Sequence, residues 1–136
     1  MGMTLKHLPD VKLTISKSDL CWLAGLLEGE GSFRIATFRN TKYGIYKYPQ
    51  IRCAMTDEDV VMRCHQVTSF GTVTGPHSPP SRAGRKPTWI WSVDKTKQVI
   101  ELMNHLLPYM GTRRAEQIRN TLSQVNLSGR GSRFDV

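Results

Sequence analysis

Two carboxylates, Glu28 and Glu30, alternate with Gly29 and Gly31 at the end of the apolar run LCWLAGLLEGEGSF, residues 20–33. Acidic groups at the C-terminal end of a helix oppose its dipole. Two such acids are ordinarily solvated surface groups. The chemical alternative is a positive partner, and a divalent metal supplies one. Hard cations bind carboxylate and phosphate oxygens, and Mg²⁺ keeps several waters. A metal so held can activate water and stabilise the leaving oxygen of an in-line displacement.

The basic residues are placed unevenly. The chain has 136 residues, a net charge of +8 and a pI near 9.8. Residues 32–55 carry Arg34, Arg39, Lys42, Lys47 and Arg52 with no acid, and residues 70–93 carry Arg82, Arg85 and Lys86 with no acid. All eleven acids lie outside these two stretches, where an even spread would put about four inside, and a phosphate-facing surface requires such exclusion. The three cysteines, Cys21, Cys53 and Cys64, have no C-x-x-C spacing. They read as reduced core thiols of an intracellular protein rather than a disulfide framework or zinc site. No apolar run reaches the ~20 residues of a membrane span, and MGMTLKHLPD contains no signal-peptide core.

The elements that position these groups follow from periodicity. Residues 1–15 read as a partly ordered leader, 16–126 as one domain and 127–136 as a basic tail. Ser16-Lys17-Ser18-Asp19 has capping-box spacing, so a helix begins near 17–19. Leu20, Leu23, Leu26 and Leu27 continue it at helical spacing. Phe33 and Ile35, then Ile51, Cys53 and Met55, alternate with polar residues as two antiparallel strands that turn around Asn40–Gly44. Thr56–Asp59 repeats the capping-box spacing before a stripe of Val60, Val61, Cys64 and Val67. Residues 71–74 and 88–93 give a second strand pair across the long Pro-, Gly- and Arg-rich connection GPHSPPSRAGRKP. Val99, Ile100, Met103, Leu106 and Leu107 form another stripe, ended by Pro108. Ala115, Ile118, Leu122 and Val125 form a short terminal helix.

The order is αββαββα plus that terminal helix, an α+β chain with helices on the apolar face of an antiparallel sheet. Alternation turns Ser32, Arg34, Ala36, Phe38 and Asn40 to the opposite, polar face, with Tyr48, Gln50, Arg52 and Ala54 beside them. Thr72, Thr74 and His77 join them from the second pair. Trp89 and Trp91 share a face and are assigned to the core.

Residues 23–31, LAGLLEGEG, resemble the motif of the LAGLIDADG homing endonucleases. Leu23, Ala24, Gly25, Leu26 and Gly31 match five of its nine letters, and two more positions are acid for acid. The αββαββα order is also that family's, and LPYMGTRRAEQI is similar to its closing region, so the likeness extends over about residues 16–126.

The resemblance implies a saddle-shaped antiparallel sheet, backed by helices, that binds double-stranded DNA. Since the chain holds one motif, it implies a homodimer with Leu23, Gly25 and Leu26 at the two-fold interface. Such a dimer makes double-strand breaks across the minor groove of a long, nearly palindromic site and leaves short 3′ overhangs. The resemblance places Mg²⁺, or Mn²⁺ or Ca²⁺ in its stead, on Glu30 with Gly29 beside it. Asp57 falls where relatives keep a polar residue near the metal and attacking water. Counting back from Pro108, Lys97 takes the place of an active-site lysine, with Lys95 two residues away as the alternative. Ser32, Arg34, Phe38, Asn40, Tyr48, Gln50, Arg52, Thr72, Thr74 and His77 would contact DNA. Arg82, Arg85 and Lys86 would do so from the loop, and Lys42 and Lys47 through phosphate. The alternative readings are an RNA-binding maturase acting on intron RNA, or a DNA-binding protein without catalysis.

Overall fold

The computed structural model describes residues 11–42, 44–78 and 84–127. Helix α1, Lys17–Glu30, starts on Ser16, whose Oγ accepts the Asp19 N–H at 3.1 Å. Strand β1, Gly31–Asn40, follows without a linker and turns into β2, Gly44–Met55. The turn is held by Asn40, whose Oδ1 accepts the Lys42 N–H at 2.8 Å. Helix α2, Glu58–Thr68, leads to β3, Thr72–His77, and β4, Thr88–Val93. Helix α3, Thr96–Leu106, passes through a 3-10 turn at Leu107–Tyr109 into α4, Thr112–Leu127.

The α+β order and the paired strands agree with the sequence reading. The sheet is wholly antiparallel in the order β1-β2-β4-β3. Leu23, Leu27, Phe33, Ile51, Trp91, Val93, Val99, Leu102, Met103, Leu106 and Ile118 form one core between the sheet and the helices. Trp91 is fully buried there and Trp89 packs against it, as the alternation required.

Three local details differ from the sequence reading. The segment 11–15 is packed: Leu13 is buried, and its N–H donates to Glu101 Oε2 at 3.0 Å. Helix α2 is capped by Asp57, not by a Thr56–Asp59 box, and the Asp57 side chain makes no cap bond. The terminal helix, read as short, has sixteen residues. The basic tail from 128 onward, like Arg82 in the long connection, lies outside the described residues.

Gly31 is both the last cap of α1 and the first residue of β1. A Cβ there would stand 2.7 Å from the Leu27 carbonyl oxygen and 2.9 Å from its side chain. Only glycine lets the strand leave so close to the helix. Gly29 plays no part in that exit, because it lies inside the helix.

Candidate nucleic-acid interface and active site

Helix α1 delivers its C-terminal end directly to the first strand. Glu30 is exposed there, and the next residue, Gly31, pairs with Cys53 of β2. The Glu30 charge reaches that strand and opposes ionisation of the Cys53 thiol. The hydrogen bond from Cys64 acts more strongly and lowers the Cys53 pKa; the same bond, with burial, pushes the Cys64 thiol far up. Asp57, two residues past the end of β2, lies toward the same end of the hairpin. Its backbone carbonyl caps α2 by accepting from Val60 and Val61, each at 3.2 Å, which leaves the carboxylate out of the cap.

The end of α1 is clamped by α4. Arg114 is only 8% exposed. Its Nε donates to the Glu28 carbonyl at 3.0 Å, one terminal nitrogen reaches the Gly29 carbonyl at 3.5 Å, and the other donates to Gln117 Oε1 at 3.0 Å. Helix ends leave such carbonyls without partners, and a cation there also answers the dipole. The Glu28 carboxylate returns the contact by accepting the Gly111 N–H at 2.7 Å. Glu28 is thus structural, and the charge conflict evident in the sequence is met in part by a guanidinium. The exposed Arg113 stands beside Arg114 on the first turn of α4. No periodicity signalled this clamp, because it joins residues 86 positions apart.

The two lysines expected at the reaction centre sit at the start of α3. Lys95 caps α3 and Lys97 is in its first turn. The neighbouring Gln98 accepts the Gly71 N–H at 3.3 Å, just before β3. That is the sheet edge opposite β1, into which Glu30 leads. Asp57 thus lies toward the Glu30 end of the hairpin, while the start of α3 is tied to the chain entering β3.

Pairing register assigns the sheet faces. Ser32–Arg52, Arg34–Gln50, Ala36–Tyr48 and Phe38–Tyr46 are partners on the polar face. Arg52–Ser92, Thr72–Ser92, Thr74–Ile90 and His77–Thr88 extend it across β4 and β3. Arg34 and Phe38 are exposed, and Phe38 stacks on Tyr46 with ring centres 6.5 Å apart. His77 Nε2 lies 3.0 Å from Thr74 Oγ1. Arg85 and Lys86 are exposed before β4, and Lys42 is exposed at the hairpin turn.

Three assignments change. Lys47 pairs with Thr37 and shares the reverse side of the hairpin with Arg39, so it is separated from Tyr48 and Gln50. Gln50 lies on the polar face yet is 7% exposed. Its Oε1 accepts from Arg34 Nε at 2.8 Å, and its Nε2 donates to Asp94 Oδ1 at 2.7 Å and to Ser92 Oγ at 3.3 Å. Asp94, one residue beyond the acid-free stretch and past the end of β4, thereby joins the face; strand alternation, which stops at Val93, does not place it. Leu23 is the third change. It is fully buried in the chain's own core and is not an interface residue. The exposed face of α1 instead carries Cys21, Gly25 and Gly29 at four-residue spacing, with Leu26 partly buried beside them. A Cβ on Gly25 would meet nothing within 4 Å.

Among the described residues, no group of three or more His, Cys, Asp or Glu side chains gathers as a metal site. With the Glu28 oxygens taken by Arg114 and Gly111, the end of α1 offers the Glu30 carboxylate and the Gly29 carbonyl, which Arg114 approaches only at 3.5 Å; they are hard donors that suit Mg²⁺, Mn²⁺ or Ca²⁺ when phosphate and water complete the shell. No described helix is long and apolar enough to cross a membrane.

No family model matches the sequence, and no curated protein does. Solved structures do match. The homing endonuclease I-CvuI, in complex with the I-CreI target and 2 mM Mg, superposes with a TM-score of 0.66 at 16% identity, covering 81% of this chain and 67% of that one. The homing endonuclease I-TnaI gives 0.64 at 17% identity over 90% of this chain and 77% of that one. The archaeal intron-encoded homing endonuclease I-Vdi141I, complexed with DNA, gives 0.60 at 19% identity over 80% and 70%. The fold is that of the LAGLIDADG homing endonucleases.

Proposed function

We propose that this chain, built on the LAGLIDADG homing endonuclease fold, is a site-specific DNA endonuclease that acts as a homodimer. The observation that carries the reading is the junction of α1 and β1. One exposed carboxylate, Glu30, stands where an open helix face meets a polar, basic sheet face. The solved structures of similar fold described as DNA complexes support the same reading.

One chain supplies one Glu30, and breaking two strands takes two sites. Two copies of α1 packed through Gly25 would set both Glu30 residues near a two-fold axis, and a two-fold dimer reads a nearly palindromic site. The close approach needs no rearrangement within the chain, since the space over Gly25 is open. Strand β1 has ten residues, which span about 33 Å at ~3.3 Å per residue. That length matches roughly ten base pairs per half-site.

The metal would be held by Glu30 with the Gly29 carbonyl, and it supplies an activated water and charge neutralisation at the phosphate. Arg114 and Glu28 hold the helix end still. Asp57, whose carboxylate takes no part in the α2 cap, would orient water. The cation beside the phosphate would come from Arg113 at the start of α4 in preference to Lys97, because α4 is the helix that meets the Glu30 end. On the sheet, Ser32, Arg34, Arg52, Thr72, Thr74 and His77 would face the groove, and Lys42, Arg85 and Lys86 would bind phosphate. Phe38 and Tyr48 would supply apolar contact.

The test is a selection for bound and for cleaved duplexes from a random DNA library with Mg²⁺. The wild type should enrich a two-fold-symmetric site in both pools. Glu30→Gln should enrich the same site by binding and yield no cleaved product. Retained cleavage removes Glu30 from the mechanism, and an asymmetric site removes the homodimer.

A further inference from the structure

The polar face contains one row that is already hydrogen-bonded within the protein. It runs from Arg34 on β1 through Gln50 on β2 to Ser92 and Asp94 at the end of β4. Both N–H groups of the Gln50 amide are accounted for, by Asp94 and by Ser92. Ser92 Oγ in turn donates to Asp94 Oδ1 at 2.9 Å. An amide has two donors and one carbonyl, so Gln50 keeps only one acceptor lone pair for any outside group. The direction of the row is fixed by charge. A carboxylate accepts only, so it draws the NH₂ of Gln50, and the carbonyl must then face the guanidinium. Flipping the amide would set its oxygen against Asp94 and its NH₂ against Arg34.

The consequence falls on Arg34. Its Nε–H is spent on Gln50, while the exposed guanidinium keeps the N–H groups of its terminal nitrogens. A guanidinium held at Nε is fixed in plane and presents its outer edge. Paired N–H groups are what reads O6 and N7 of guanine in the major groove. Pre-ordering a long side chain also removes entropy that binding would otherwise cost. Asp94 adds a negative charge at the other end of the row, across Gln50 from this arginine, on a face whose other described charges are basic, which favours a base edge over a phosphate.

We propose that Asp94 and Gln50 form a positioning relay that holds Arg34 as the reader of a single guanine in each half-site. Gln50 is then a positioning residue and not a base reader. The inference rests on the DNA-binding reading above and assigns that face its specificity.

The experiment selects bound duplexes from a randomised library in EDTA, with wild type and with Arg34→Ala, Gln50→Leu, Asp94→Asn and Arg34→Ala/Gln50→Leu. Thermal unfolding verifies that each is folded, and Asp94→Asn, at an exposed position, serves if Gln50→Leu does not fold. The wild type should show a guanine at one position per half-site, favoured about tenfold or more. Arg34→Ala should abolish that preference. Gln50→Leu and Asp94→Asn should weaken it severalfold at the same position, with salt dependence and preferences elsewhere unchanged. The double variant should match Arg34→Ala. If Gln50→Leu alters a different position from Arg34→Ala, Gln50 reads its own base and the relay is overturned. Unchanged guanine preference in Gln50→Leu or Asp94→Asn overturns it too. A wild type that selects no duplex at all overturns the DNA-binding reading and the relay with it.

Discussion

Arg114→Leu tests whether the end of α1 is held by α4 or by its own sequence. The side chain is 8% exposed, and its shortest contact with α1 is the 3.0 Å bond from Nε to the Glu28 carbonyl. Hydrogen bonds from a charged donor contribute about 1.5–3 kcal/mol. The cation at a partly buried helix C-terminus adds roughly 0.3–2 kcal/mol. The 3.5 Å approach to the Gly29 carbonyl is at the limit of a hydrogen bond and adds little. Leucine recovers some apolar burial, so the net loss should be about 2–4 kcal/mol. For a chain of this size each kcal/mol moves the melting temperature by about 3 °C, so the shift is about 6–12 °C downward. Circular dichroism melts at one fixed chain concentration measure it, since the proposed dimerisation would make the midpoint depend on concentration. Arg114→Lys keeps the charge and loses the fork, so it should fall between. A leucine variant within ~1 kcal/mol of wild type refutes the clamp. So does a lysine variant that melts below the leucine one.

Gly25→Leu should leave the single chain at least as stable, since nothing lies within 4 Å of the added Cβ and glycine costs a helix up to about 1 kcal/mol. In sedimentation it should convert a dimer to a monomer; a variant that still dimerises shows that α1 is not the interface. Maleimide labelling of the native monomeric variant should modify Cys21 quickly and leave Cys53 and Cys64 until the chain unfolds, because only Cys21 is exposed. Labelling of all three at one rate would mean the core opens. Arg113→Ala should lower cleavage by at least an order of magnitude with binding retained, whereas Lys97→Ala should stay within a fewfold of wild type. The reverse order would return the reaction-centre cation to α3.

Periodicity and caps made the chain's plan legible from its residues. Ser16 and Asp19 mark where α1 starts, and the alternation of Phe33 with Arg34 and of Ile51 with Arg52 separates a core face from a polar one. These are local signals, governed by the 3.6-residue and two-residue repeats of the backbone. Even so, alternation could not say where a face ceases to be core. Lys47 lies on the reverse side of the hairpin because the Thr37 pairing puts it there.

What required the tertiary structure is what joins distant positions. Leu23 was ambiguous along the motif because a helix has several apolar faces, and packing against the sheet decided that it belongs to the core. Arg114 meets Glu28 and Gly29 only because α4 returns to the end of α1. Gln50 is occupied by Asp94 only because β4 pairs beside β2. The sequence alone determined an α+β chain with a carboxylate at a helix–strand junction and basic, acid-free strands. The tertiary structure decided which side chains are free to act, because a hydrogen bond made within the protein removes a group from the set that can meet a ligand.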